Sequence, residues 1–286
     1  MANLKELRSR ITSVSSTMQI TSAMKMVSAA KLNRAQDAIT KMRPYSQKLT
    51  ELLQSLSATL EGDTGSKYAE QREVNKVLIV AISSNRGLAG AFNTNIVKGV
   101  RQMAQNQYAG KEVELLTLGK KAADVLKKGY TISKNNNAIY DTLDYAHVSE
   151  IAEDLMQLFL EEKYDEIVII YNQFRNAATQ VVTTEQFLPI QKFETDENVT
   201  LDYIFEPGKL EIVKDLIPKS LKMQLFKAMS DSLAAEHGAR MTAMHKATDN
   251  ATELRNALKL SYNKARQASI TNEILEIVGG AEALNN

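Results

Sequence analysis

Cysteine and tryptophan are absent from these 286 residues, proline occurs four times and histidine three times. The lack of cysteine excludes disulfide scaffolds, thiolate zinc sites, iron–sulfur ligation and cysteine nucleophiles, and it suits a reducing compartment. No apolar run approaches the roughly 20 residues that a bilayer crossing needs; the longest lies near Lys76 to Ile82 and is of strand length. The first residues, MANLKELRSR, offer no apolar core for a secretion signal, and Glu6 argues against an acid-poor transit peptide. With 44% apolar and 24% charged residues, the expectation is a soluble chain of one large or two modest domains.

Net charge is only +1, but it is unevenly placed. Residues 1–60 hold nine Lys and Arg against three acids, and residues 208–286 hold eleven against nine, which leaves −7 for residues 61–207. Basic ends around an acidic middle suggest that the terminal segments meet a negatively charged partner, or that they pack beside the middle.

The first 60 residues contain one proline and no glycine. A single heptad frame runs from Leu4 through Leu7, Ile11, Val14 and Met18 and, beyond Thr21, Lys25 and Ser28, on through Leu32 to Leu60; thirteen of its seventeen positions are apolar. That is the seam of a coiled coil. At 1.5 Å per residue, such a helix spans roughly 85 Å. At the lapse (Thr21, Lys25, Ser28) a second set, Ile20, Ala23, Met24 and Val27, turns an apolar face elsewhere, so something other than the main helical partner is expected to touch it. After Glu206-Pro207-Gly208 another helical tract runs to about Leu284, with a seam read as Met244, Ala247, Ala251, Leu254, Leu258, Ser261, Ala265 and Ala268. The two arms are expected to pair antiparallel. Ile270, Ile274, Leu275, Ile277 and Val278 spread around the last turns, and a helix end apolar on several faces needs covering by another protein.

Between the arms the period changes. Lys76 to Ser83, Glu112 to Leu118 and Glu166 to Tyr171 are short β-branched runs of the kind buried on both faces, and helical stretches separate them near 90–108, 120–128 and 148–163. This predicts an α/β domain with a mostly parallel sheet. Thr179 to Phe187 and Leu201 to Phe205 are expected as further edge strands. The predicted organisation is an N-terminal coiled-coil helix over 1–60, an α/β domain over 74–206 and a C-terminal coiled-coil helix over 208–286.

Catalytic chemistry is sparse. Ser83-Ser84-Asn85-Arg86-Gly87-Leu88-Ala89-Gly90 follows the first strand, where α/β folds often hold phosphate, but its glycines are spaced neither as GxGxxG nor as a P-loop. A tight turn with Arg86 reaching a neighbouring loop or the helical arms is the better account. His237 and His245 are eight residues apart, about 12 Å along one helix, too far for one metal. The basic residues of the N-terminal arm lack interleaved aromatics, which disfavours nucleic acid.

Three blocks carry a family resemblance. The first runs from Arg10 to Val14 and from Gln19 to Leu32, the second is Ser83 to Asn93 (SSNRGLAGAFN), and the third runs from Ser232 through Arg240 and Met241, Ala247 to Ala251 and Tyr262 to Thr271, ending at Val278. On these the chain resembles the gamma subunit of F-type ATP synthases from end to end. It departs from the family at Ala89, commonly Cys, and has no cysteine pair for a redox switch.

The resemblance implies a non-catalytic central rotor shaft without cofactor or metal, working with alpha and beta subunits, the epsilon subunit and the c-ring, with no nucleic acid and no direct insertion into the membrane. It implies contact with the beta subunit at Met24, Arg266, Gln267, Thr271 and Glu273, and a foot toward the c-ring and epsilon at Tyr203, Phe205 and Glu206. The expected location is peripheral, on the cytoplasmic face of a bacterial plasma membrane. A nucleotide-dependent α/β enzyme with helical arms and a coiled-coil adaptor are the alternatives.

Overall fold

A computed structural model describes residues 4–59, 67–140, 142–190 and 208–284. The predicted strand Leu201 to Phe205, and with it the expected foot residues Tyr203, Phe205 and Glu206, lies outside the described residues. Two long helices, α1 (Leu4–Thr59) and α5 (Lys209–Leu284), flank a five-stranded α/β unit. Each runs through a proline, Pro44 in α1 and Pro218 in α5. By its internal packing the chain divides into two compact units, one of residues 29–240 and one of residues 1–28 with 241–286.

In the larger unit the elements follow the order β1 (Lys76–Ile82), α2 (Phe92–Gln102), β2 (Glu112–Leu118), α3 (Lys120–Leu126), β3 (Thr131–Asn135), α4 (Tyr145–Leu160), β4 (Glu166–Phe174) and β5 (Gln180–Leu188). The sheet order is β3-β2-β1-β4-β5, parallel throughout except for antiparallel β5 at one edge. β1 is buried on both faces because alternate side chains serve two cores. Val77, Ile79 and Ala81 pack with Ile96 and Val100 of α2 and Leu126 of α3. Leu78, Val80 and Ile82 pack with Ile151, Leu155 and Phe159 of α4, and Leu221, Leu225 and Met229 of α5 complete that core.

β3 has no counterpart among the runs predicted from sequence. It is an edge strand whose residues are exposed except for half-buried Ile132, so it carries no stretch of buried apolar residues to announce it. The helical stretch after β1 covers almost all of the predicted 90–108. It passes at Met103–Gln107 into a π-helical turn.

The smaller unit pairs Leu4–Ser28 of α1 with the part of α5 beyond Arg240. Met18 lies by Arg255, Thr21 by Thr248 and Lys25 by His245, so numbers fall on one helix as they rise on the other and the pair is antiparallel. The α1 frame holds straight through its polar lapse. Thr21 and Ser28 are 8% and 3% exposed, whereas the off-frame Ile20 and Val27 are 60% and 57% exposed. The seam of α5 differs from the one read in the sequence. Its covered positions are Met244, Ala247, Thr248, Ala251, Arg255, Leu258, Tyr262, Ala265 and Ser269, and Leu254, Ser261 and Ala268 face outward. Five of the eight expected positions are kept, and Leu254, Ser261 and Ala268 give way to the residues that follow them, as partners on α1 select. The Thr248 hydroxyl meets that of Thr21 at 2.8 Å, and Arg255 Nη1 sits 3.5 Å from Met18 Sδ. A buried polar pair in a seam fixes register at some cost in stability. A double-mutant cycle of Thr21→Val and Thr248→Val, followed by urea unfolding, is expected to give a coupling of about 1 kcal/mol; additive single effects would show that the hydroxyl pair contributes nothing.

Candidate functional site

The Ser83–Gly90 turn is built from both sides. Leu88 (φ 62°) and Gly90 (φ 57°) take left-handed conformations that reverse the chain after β1. The Ser84 N–H donates to Asn93 Oδ1 at 3.0 Å, and the Ser84 hydroxyl donates to the Arg86 carbonyl at 2.6 Å. Asn85 accepts from the Lys120 N–H at 3.0 Å and donates to the Asn137 carbonyl at 2.8 Å. Ser83 Oγ accepts from the Ala122 N–H at 3.1 Å. The backbone donors of Ser84, Lys120 and Ala122, of the kind that cradle phosphate in other α/β folds, are thus bonded to the protein's own side chains.

The outer side of the turn rests on α5. Ala89 and Phe92 pack with Ala235 and Ala239. Arg240 Nη2 meets Glu236 Oε1 at 2.6 Å, and its guanidinium donates to the carbonyls of Arg86 and Gly87 at 3.4 Å. Both partners of this ion pair are buried. Burial pushes the Glu236 carboxyl above its usual range, against the pull of Arg240, Lys31 and Arg86. His237 is driven down to about 4 by burial, then by Arg240 and Lys31. Sequence reasoning passed over Glu236 and Arg240. Their signal was a charged i,i+4 pair inside a stretch of small residues, Ala234, Ala235, Gly238 and Ala239.

The depressed His237 value makes stability depend on pH. The native state holds the imidazole neutral, so its contribution is complete above the ordinary value of 6.5 and is lost as pH falls toward about 4. Glu236 acts in the opposite sense, since its raised value favours the protonated form in the folded chain. The effect is therefore read as a difference between variants: His237→Gln is expected to flatten the fall in melting temperature between pH 6.5 and pH 4. Parallel curves for the two proteins would show that His237 does not titrate with folding.

The remaining predicted residues lie on the helical pair. Met24 is half-buried beside the exposed Met26 and Val27. Arg266, Gln267, Thr271 and Glu273 are all exposed on α5. Thr271 Oγ1 donates to the Gln267 carbonyl at 3.0 Å, and Ser269 Oγ reaches Glu273 Oε1 at 3.4 Å. Met24 is not brought beside them. It sits near the level of His245 and Thr248, and Arg266 lies about 27 Å further along α5 at 1.5 Å per residue. Ile270, Ile274, Leu275, Ile277 and Val278 are exposed, so this helix end shows apolar side chains on several faces. His245 is exposed, 3.4 Å from Lys25 Nζ, and His147 Nδ1 lies 2.8 Å from the Asp144 carboxylate that caps α4.

The architecture is shared with chains of ATP synthase stalks and rotors. A chain of the mitochondrial ATP synthase of Euglena gracilis, from an assembly with OSCP, F1 and the c-ring, superposes with a TM-score of 0.74 at 23% identity, covering 98% of this chain and 94% of that one. A chain of the central stalk and c-ring of the Tetrahymena thermophila mitochondrial enzyme gives a TM-score of 0.59 at 25% identity, with 80% and 99% covered. A family model described as ATP synthase matches residues 3–284. The ATP synthase gamma chain of Christiangramia forsetii is 76% identical over 285 residues, and that of Flavobacterium johnsoniae is 66% identical over 286, each covering 100% of both chains. The chain belongs to the ATP synthase gamma chain family.

Proposed function

We propose that the chain is the central rotor shaft of an F-type ATP synthase, coupling ion-driven rotation of a c-ring to ATP synthesis or hydrolysis at beta subunits. The observation that carries this reading is the match to gamma chains over the whole length, at up to 76% identity. Its partners are the alpha and beta subunits, the epsilon subunit and the c-ring. The chain itself catalyses nothing. In support, the turn after β1 spends its backbone donors internally instead of presenting them to a phosphate. Among the described residues no helix is long and apolar enough to cross a membrane. The subunit is peripheral, and we place it on the cytoplasmic face of a bacterial plasma membrane.

The working division is a coiled-coil helix over 1–60, an α/β foot domain over 74–206 and a second coiled-coil helix over 208–286. Arg266, Gln267, Thr271 and Glu273 supply polar contacts to beta subunits around the apolar end of α5, Met24 touches a beta subunit from α1, and Tyr203, Phe205 and Glu206 face the c-ring and epsilon. Mechanically, an asymmetric shaft shifts nucleotide affinity at each beta subunit only through contacts that differ between rotational states. The test is affinity purification of the tagged chain from membranes of its source cells. Alpha, beta and epsilon subunits are expected to accompany it, and the complex should pump ions when given ATP. A tagged chain that arrives without ring subunits, or that binds nucleotide alone, overturns the reading.

A further inference from the structure

The buried pair Glu236–Arg240 takes no part in the contacts assigned above, yet it stands where the α/β domain meets α5. We propose that Arg240, held by Glu236, is a positioning residue that clamps the Arg86–Gly87 turn to α5, so that torque passes between the domain and the helix through this fork; the proposal rests on the shaft reading. Beside the covalent connection from β5 to α5, load crosses here by non-covalent contact. The apolar contact beside the turn is made of Ala89, Phe92, Ala235 and Ala239, and nearer the start of α5 Leu221, Leu225 and Met229 are packed into the domain core. The backbones come close nearby as well: a Cβ on Gly238 would lie 3.2 Å from Ala177 Cα. The alanine surface beside the turn brings backbones together but is non-directional, so it adds little resistance to sliding there.

Directional contacts add resistance to shear beyond that of the packed core. Several link the domain to α5. Lys222 meets Glu153, Gln224 Nε2 donates to the Gln186 carbonyl at 3.1 Å, and Lys227 lies 3.6 Å from Glu185. The two ion pairs are flexible lysine contacts, and Glu153 is solvated and open to screening by salt. Arg240 differs. Its planar group is buried, and its donors are divided among Glu236, the carbonyls of Arg86 and Gly87, and His237 Nδ1 at 3.4 Å. A guanidinium fork is pre-organised, so little freedom remains to be lost under load. The far side of the turn is fastened to the sheet unit by Ser84, Asn85 and Asn93. Sheet, turn, Arg240 and α5 thus form one hydrogen-bonded chain, with Glu236 fixing the arginine.

The test uses the assembled complex in inverted membrane vesicles and reads ions pumped per ATP hydrolysed, by dye quenching for protons or by isotope uptake for sodium. Arg240→Ala is expected to lower that ratio roughly fivefold or more while ATP hydrolysis stays within about twofold of the parent, since several charge-assisted bonds are lost away from the catalytic sites. Arg240→Lys keeps the charge and the pair with Glu236 but cannot hold two carbonyls, so an intermediate ratio is expected. In this cysteine-free chain, Gly87→Cys with Arg240→Cys can be joined by a reducible bis-thiosulfonate spacer; a Cβ at Gly87 meets nothing nearer than 3.9 Å. Bridging should restore pumping, and reduction of the bridge should remove it again. An unchanged ratio in Arg240→Ala overturns the clamp, as does a loss that the bridge fails to restore. If Arg240→Ala does not assemble, an unchanged ratio in Arg240→Lys overturns it. Pumping by the parent complex in the same vesicles tests the shaft reading separately.

Discussion

Gly119→Ala is expected to lower the stability of the α/β domain by about 3 kcal/mol or more, from left-handed backbone strain together with overpacking. Gly119 joins β2 to α3 at φ +113°, a conformation that side chains rarely adopt. A Cβ there would lie 2.3 Å from the Ser83 carbonyl oxygen and 2.7 Å from its carbon, so the collision is with backbone and no rotamer relieves it. Nor can Ser83 withdraw. It is fully buried, its N–H donates to the Leu118 carbonyl at 2.8 Å, and its hydroxyl accepts from Ala122 while donating to Gly119. A domain of ordinary stability, about 5–15 kcal/mol, would lose a large share of it. With no tryptophan present, tyrosine fluorescence in urea follows the domain, where Tyr108, Tyr164 and Tyr171 are buried. An unchanged midpoint would mean that the turn relaxes in a way these contacts forbid.

Coupled ATP turnover of the assembled complex is expected to fall at least about tenfold in the double variant Arg266→Ala, Gln267→Leu, because charged hydrogen bonds across an interface contribute about 1.5–3 kcal/mol each. Folding should not change. Both side chains are exposed on α5, and the replacements are good helix formers at sites where surface substitutions usually stay within about 0.5 kcal/mol. Helical circular dichroism and subunit stoichiometry should therefore match the parent. Full turnover in a correctly assembled complex would show that these are simply solvated positions, and the proposed beta contact would have to move to the apolar side chains around Ile274 and Ile277.

Much of the architecture was legible because periodicity is local. The seam of α1 repeats every three or four residues over 57 positions, and β1, β2 and β4 are short runs rich in Val, Ile and Leu, so neither needed a partner to be recognised. β3 was hidden because an edge strand with no buried face has no such signature. The C-terminal seam shows the same boundary within one helix. Met244, Ala251, Leu258 and Ala265 fit two frames equally, and the apolar sequence leaned toward Leu254, which faces outward. Thr248 joined the seam and Arg255 took the place of Leu254 because Thr21 and Met18 stand opposite.

By itself, then, the sequence determined two helical arms around a mostly parallel sheet and, through long matching blocks, the gamma chain family. Only the tertiary structure decided which polar residues enter the seam and what holds the Ser83–Gly90 turn. Thr21 and Thr248 are 227 residues apart, and Arg240 reaches a carbonyl 153 residues away. Such pairs have no spacing to read. A backbone carbonyl, moreover, has no side-chain identity, so the residue that binds it cannot be inferred from what stands at Gly87.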